Sequence, residues 1–199
     1  MAKYSETIER LMEEFGKLPG VGARTAERLA FHILKASNEE AMALAHAIHD
    51  VKTKIRPCRV CWNLTEQDVC SICRDERRDR GVICVVEQPK DLLAIESTGA
   101  YKGVYHVLMG RLAPLEGVEP EDLTIDALVD RVSKGDVREV ILATNPTVAG
   151  DGTGLHIASR LASTGAKVTR LARGLPSGGS IEYASKSILT DAITDRREM

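Results

Sequence analysis

Aromatic side chains are scarce: one Trp, two Phe and four Tyr make up 4% of 199 residues. A protein that grips single strands by base stacking needs a row of exposed rings. That mode of recognition is therefore excluded as the main one. Long apolar runs are missing too, and none approaches the roughly 20 residues of a membrane-spanning helix. The opening MAKYSETIERL has no apolar centre of the kind a signal peptide carries. Nor does either sign of charge dominate. The formal net charge is −2, with 14 Lys+Arg against 13 Asp+Glu in residues 1–80 and 13 against 16 in residues 81–199. Affinity for nucleic acid scales with the phosphates neutralised, so a chain this neutral does not bind DNA by bulk charge. DNA binding would need a local basic face, repeated by assembly. What remains is ordinary globular composition, 43% hydrophobic and 28% charged, with room for more than one small domain.

Cysteine is the informative residue. Four of the five cysteines form two C-x-x-C knuckles, Cys58-Arg59-Val60-Cys61 and Cys70-Ser71-Ile72-Cys73. A C-x-x-C turn aims two thiolates at one ion, and two such turns supply the four soft ligands of tetrahedral Zn²⁺. The short spacer predicts a compact ribbon. A redox C-x-x-C is the competing reading. Cys84 lies inside the apolar run Val82-Ile83-Cys84-Val85-Val86 and reads as a small buried residue, not a ligand. Trp62 is expected to cover the ribbon's own small core. Lys52, Lys54, Arg56 and Arg59 lead into the first knuckle; Arg74, Arg77, Arg78 and Arg80 follow the second, interleaved with Asp75, Glu76 and Asp79, and read as a solvated face. Thiols kept for a metal, without an export signal, place the chain in the cytoplasm.

Everything before the knuckles reads helical. Ile8, Leu11, Met12 and Phe15 share one helix face. Leu18-Pro19-Gly20-Val21-Gly22 then stops the helix and lets the backbone turn. A second helix buries Ala26, Leu29, Ala30 and Ile33. Ser37-Asn38-Glu39-Glu40 reads as a capping box that starts a third helix, with Ala41, Leu44, Ala45 and Ile48 facing in. Helix, L-P-G-V-G, helix resembles a helix-hairpin-helix motif. Gly20 and Gly22 would let a DNA phosphate approach the backbone at the start of the second helix. Arg24 and Arg28, one turn apart, would add charge-assisted contacts that position DNA without reading its sequence. An ordinary αα-hairpin with solvating arginines fits the same local pattern.

After the knuckles, strands alternate with helices, which implies a parallel sheet covered on both faces. Strands are expected at Val82–Val86, Val104–Met109, Val137–Thr144 and roughly 166–171. Helices are expected from Pro89 to Glu96, around Ile125-Leu128-Val129-Val132, and at roughly 151–163. Ligands of such sheets sit at the carboxyl ends of the strands. Glu87 ends the first strand, and Thr144-Asn145-Pro146-Thr147-Val148-Ala149-Gly150-Asp151-Gly152 follows the third. Together these look like a Toprim domain, whose enzymes bind Mg²⁺ with a glutamate after the first strand and an Asp-x-Asp pair after the third. Asn145 and Thr147 stand at the positions of that pair. Glu87 and Asp151 alone make a weak Mg²⁺ site, so the fold reads as retained and catalysis as absent.

Taken in order, LPGVG with TAERLAFH, the C-x-x-C pair, YKGVYHVLMG, EVILATNPT and LPSGGSIEY resemble the RecR family over essentially the whole chain. The resemblance implies a multidomain α+β protein. Its parts are a helix-hairpin-helix domain (1–56), a C4 zinc ribbon (57–80), a Toprim-like domain (81–176) and a short C-terminal oligomerisation segment (177–199). It implies a non-enzymatic mediator of DNA repair, bound to duplex and gapped DNA in the nucleoid, with no membrane role. Such a mediator acts with RecO, and in some settings RecF, to load RecA at single-strand gaps. It implies homodimers and ring-shaped homotetramers, one structural Zn²⁺ per chain on Cys58, Cys61, Cys70 and Cys73, and DNA contact through Arg24 and Arg28. Glu87 and Asp151 would belong to a partner-binding acidic patch. The family's usual Glu-Gly-Glu/Asp is Ala149-Gly150-Asp151 here. Gly152 and Gly154 replace usual alanines, and Arg173 is an added charge near an oligomer contact. The cysteines then read as a structural clip between the helical and α/β parts.

Overall fold

The computed structural model describes residues 4–196 and 198. Residues 197 and 199 of the expected tail lie outside that set. The chain forms two compact units, one ending at Ile55 and the other beginning at Arg56.

The first unit is helical. Helix α1 spans Glu6–Gly16, α2 Ala23–Lys35 and α3 Asn38–Lys54. The α1–α2 turn is possible because Gly20 takes φ +81°, where a side chain would be strained. Ala26 and Ala30 are buried between α1 and α2, as their small size allows. Tyr4 packs its ring edge-on against Phe31, centroids 5.2 Å apart, and its hydroxyl donates to Glu27 Oε1 at 2.6 Å. The capping box of α3 is formed: Ser37 Oγ accepts from Glu40 N at 3.2 Å, and Glu40 Oε2 from Ser37 N at 3.0 Å. The apolar face expected to point inward does not: Leu44 is 44% and Ile48 58% exposed, and Val51, next along that face, is 61% exposed. Spacing says which residues share a face, not whether anything covers it.

The second unit holds both the zinc ribbon and the α/β sheet. Strands β1 (Arg56–Pro57) and β2 (Leu64–Thr65) pair antiparallel, and α4 is the single turn Ser71–Arg74. The sheet is built from β3 (Asp79–Val86), β4 (Gly103–Val107), β5 (Glu139–Leu142) and β6 (Lys167–Arg170), all parallel, in the order β4-β3-β5-β6. The covering helices are α5 (Pro89–Glu96), α6 (Ile125–Lys134) and α7 (Val148–Leu161); α8 (Lys186–Thr194) closes the chain. One face of the sheet buries Ile83, Val85, Val140 and Leu142 against Leu128, Val132, Ile157 and Leu161; the other buries Cys84, Val86, Tyr105 and Val107 with Leu92. Burial on both faces is why the strands read as unbroken apolar runs.

Several expectations are corrected here. Trp62 packs with Ile72 on the sheet cluster of Cys84, Val86 and Tyr105, not on a core of the ribbon's own. The ribbon's core is its cysteines, so the ring is free to join the larger cluster. Of the arginines after the second knuckle, Arg74, Arg77 and Arg80 are exposed as expected, and Arg78 is the exception. Arg77 lies bidentate on Asp75, Arg78 pairs with Glu96 and donates to Gly103 O, and Arg80 donates to Cys73 O. Helix α7 starts three residues before the expected 151, because Thr147 Oγ1 caps Gly150 N at 3.1 Å. Asp151 therefore lies at the end of the first helical turn and not at the helix start.

Candidate functional site

Three sets of residues carry chemistry. The first is the start of α2. Gly22 is its N-cap and supplies no side-chain cap. The first turn thus keeps backbone N–H groups for an outside acceptor, at the positive end of the helix dipole. Arg24 and Arg28 are exposed on this helix and, among the described residues, have no ion pair. Free backbone donors and two side chains able to hold a phosphate-sized anion are thus brought to one helix end.

The second set is the cysteine cluster. Cys58, Cys61, Cys70 and Cys73 are all buried, and their Sγ atoms lie within 4.8 Å of one another. Cys61 and Cys70 Sγ are 3.5 Å apart, and Cys70 N donates to Cys58 Sγ at 3.3 Å. Hydrogen bonds from Cys61 and Cys73 pull the Cys70 thiol down, while its partner Cys61 is pushed up by the same contact. Four buried sulfurs at this spacing fit a tetrahedral cation. All four positions are thiols, so the centre leaves no open coordination position for catalysis. Cys84 stands apart in β3, its thiol pushed up to about 12 by burial, which suits the small packing residue expected.

The third set lies at the carboxyl ends of β3, β5 and β6. Glu87 is only 4% exposed. Its Oε1 accepts from Asn145 N at 2.8 Å and its Oε2 from Asn145 Nδ2 at 2.7 Å. Asp151 is ion-paired with Arg173, whose guanidinium holds that carboxyl below its usual range. Each acid is thus matched to a side chain of the chain itself. A pocket of about 400 Å³ beside them is lined by Thr144, Asp151, Leu155, Arg170 and Arg173. Arg173 was expected near a subunit contact; no motif marked it as the partner of Asp151, because the pair joins segments 22 residues apart.

Comparison with known proteins agrees with this layout. Residues 8–52 match a family described as RecR, helix-hairpin-helix, residues 55–75 the RecR zinc finger domain with four cysteine ligands, and residues 81–172 the Toprim domain. The chain is 54% identical to Recombination protein RecR of Rubrobacter xylanophilus and 49% identical to that of Rhodopirellula baltica, each over 199 residues and the whole of both chains. It is 52% identical over 197 residues to that of Desulforudis audaxviator, covering 99% of this chain and all of the relative.

The chain belongs to the RecR family. The α+β fold class expected from the sequence holds, with hairpin, zinc finger and Toprim parts in RecR order. The zinc finger match and the four clustered sulfurs together give this RecR chain one structural zinc. Among the described residues no helix is long and apolar enough to cross a membrane.

Proposed function

We propose that this RecR chain is a non-enzymatic DNA-binding mediator of recombination repair in the cytoplasm, associated with the nucleoid. The observation that carries the reading is the uncapped start of α2, with Gly20 and Gly22 beside the unpaired Arg24 and Arg28. An exposed N-terminus with two free guanidiniums favours a phosphate backbone and is indifferent to base sequence. On this reading the chain acts with RecO, and in some settings RecF, to promote RecA loading at single-strand gaps, as the family likeness implies. It assembles as a dimer or ring-shaped tetramer around duplex or gapped DNA.

The Toprim part then serves docking, not strand cleavage. Asn145 and Thr147 stand where Toprim enzymes carry their acid pair, and Asn145 occupies both oxygens of Glu87. Glu87 and Asp151 would contribute to a partner-facing surface. Ala149 removes one acid from it. The expected assembly draws support from the uncovered apolar positions Leu44, Ile48 and Val51.

Replacing Arg24 and Arg28 together with alanine is the test. Duplex binding should weaken at least about tenfold at physiological salt, the logarithm of affinity should fall less steeply with salt by about two phosphate contacts, and helicity should be unchanged. Unchanged affinity in a folded double variant rejects the assigned face.

A further inference from the structure

A dication held by four thiolates carries a net charge of roughly −2. Here that charge would be buried, since Cys58, Cys61, Cys70 and Cys73 are all out of solvent. Buried net charge is costly unless something of opposite sign lies close. Two of the ribbon's own cations are already committed to carboxylates. Arg59 is engaged with Asp68 at 2.5 Å, and Arg77 with Asp75.

Two arginines from outside the two knuckles approach instead. Arg80, at the start of β3, donates from Nη2 to the carbonyl of the ligand Cys73 at 3.3 Å. Arg131, in the last turn of α6, donates from Nη1 to the carbonyl of Val60, inside the first knuckle, at 3.4 Å. The same nitrogen donates to Tyr105 O in β4 at 2.7 Å, and Val107 N donates to the carbonyl of the ligand Cys61 at 2.8 Å. Val60, Cys73, Arg80 and Arg131 line one cavity of about 340 Å³. Among the described residues neither arginine has a carboxylate within ion-pair distance, whereas Arg78, Arg138 and Arg160 of the same unit each do. Asp136, on the rim of that cavity, pairs with neither. An arginine kept free of carboxylates and bonded to ligand-turn carbonyls is placed to offset a different negative charge.

We propose that Arg80 and Arg131 are positioning residues of the zinc centre. Their charges offset that of the tetrathiolate, and their donors fix the carbonyls of both knuckles. The zinc site thus extends beyond residues 55–75, the match to the RecR zinc finger, into the Toprim match at 81–172. Metal retention becomes a property of the ribbon and the sheet together, since β4 and α6 grip the ligand turns directly.

The test is the rate at which zinc passes from the zinc-loaded full chain to a chromogenic chelator, below the unfolding temperature. Arg80→Gln and Arg131→Gln should each release zinc about tenfold faster, the scale set by loss of groups that support metal ligands. Arg80→Lys and Arg131→Lys keep the charge and should retain most of the slow release. Arg160→Gln, which breaks an ion pair elsewhere on the same domain, should match the wild type. Glutamine variants that release zinc at the wild-type rate overturn the proposal, and so do lysine variants as fast as the glutamine ones. The Arg80 side chain is exposed, so Arg80→Gln decides alone if Arg131→Gln does not fold. An arginine that only braced the fold would lower thermal stability and leave the release rate alone.

Discussion

His106 sits in β4 wholly out of solvent, and the position of its proton follows by elimination. Its Nε2 lies 3.0 Å from both the carbonyl and the hydroxyl of Thr124. Thr124 Oγ1 gives its own proton to Val107 O at 2.7 Å, so Nε2 must be the donating nitrogen. Nδ1 is left as a bare, buried lone pair with no partner. Protonating it would bury a cation without an acceptor. Burial pushes the imidazole down to about 4 from its ordinary 6.5, and the nearby charge of Arg131 pushes in the same direction. The folded state therefore refuses a proton that the unfolded state accepts. Stability falls as pH falls from about 6.5 to about 4, and the loss from this one group is about 3 kcal/mol. Urea unfolding of the wild type and of His106→Gln over that range should show it. The wild-type curve should drop relative to the variant by that amount, the shared carboxylate titrations cancelling. Parallel curves would remove His106 as the cause. No sequence pattern announces this, because a histidine in an apolar run is silent about which of its nitrogens finds a partner.

Helix α7 holds three glycines with different tasks. Gly150 lies over the Glu87 turn: a Cβ there would fall 2.9 Å from Glu87 Oε1 and against the Asn145 carbonyl. At Gly152 a Cβ would meet nothing within 4 Å, and at Gly154 only ordinary contact, 3.5 Å from Thr144 Oγ1. Gly152→Ala should therefore stabilise by up to about 1 kcal/mol, the helix propensity recovered. Gly150→Ala should destabilise by about 1–3 kcal/mol, because the backbone under it cannot give way. Thermal unfolding of the two variants checks the contrast, and a gain at both positions would show that the Glu87 turn is not held as tightly as its hydrogen bonds imply. Both glycines look alike as helix defects in the sequence. Local rules served best where a residue acts on its neighbours. The capping box at Ser37 and Glu40 and the start of α5 at Pro89 fall where spacing puts them. So do the clustered cysteines. They failed where the partner is remote. Trp62 joins a cluster of the sheet, Arg78 reaches Glu96, and Arg131 reaches Val60 across 71 positions, none of which any window along the chain contains.

For the whole molecule, two facts pull in opposite directions. The net charge is −2, too neutral for one copy to hold DNA firmly, and a single hairpin with two free arginines makes few phosphate contacts. The proposed assembly would reconcile them. Linked hairpins on one duplex convert later contacts into intramolecular ones, and modest affinities multiply. The surface offers the means. Leu44, Ile48 and Val51 on α3 are uncovered in one unit, and Val148, Leu155, Tyr183 and Ile193 in the other. Apolar side chains collected on one helix face and left in water mark a contact surface. Sedimentation at micromolar concentration should therefore give a mass that is a multiple of 21.7 kDa. Ile48→Glu with Val51→Glu puts charges on the exposed face of α3, away from Arg24 and Arg28 in sequence. If that face joins copies, the variant should sediment as a smaller species and lose DNA affinity with its hairpin arginines intact. A wild type that sediments only at 21.7 kDa rejects assembly. A variant that falls to lower mass yet binds DNA as before separates assembly from affinity, and leaves the two arginines of one hairpin to account for binding alone.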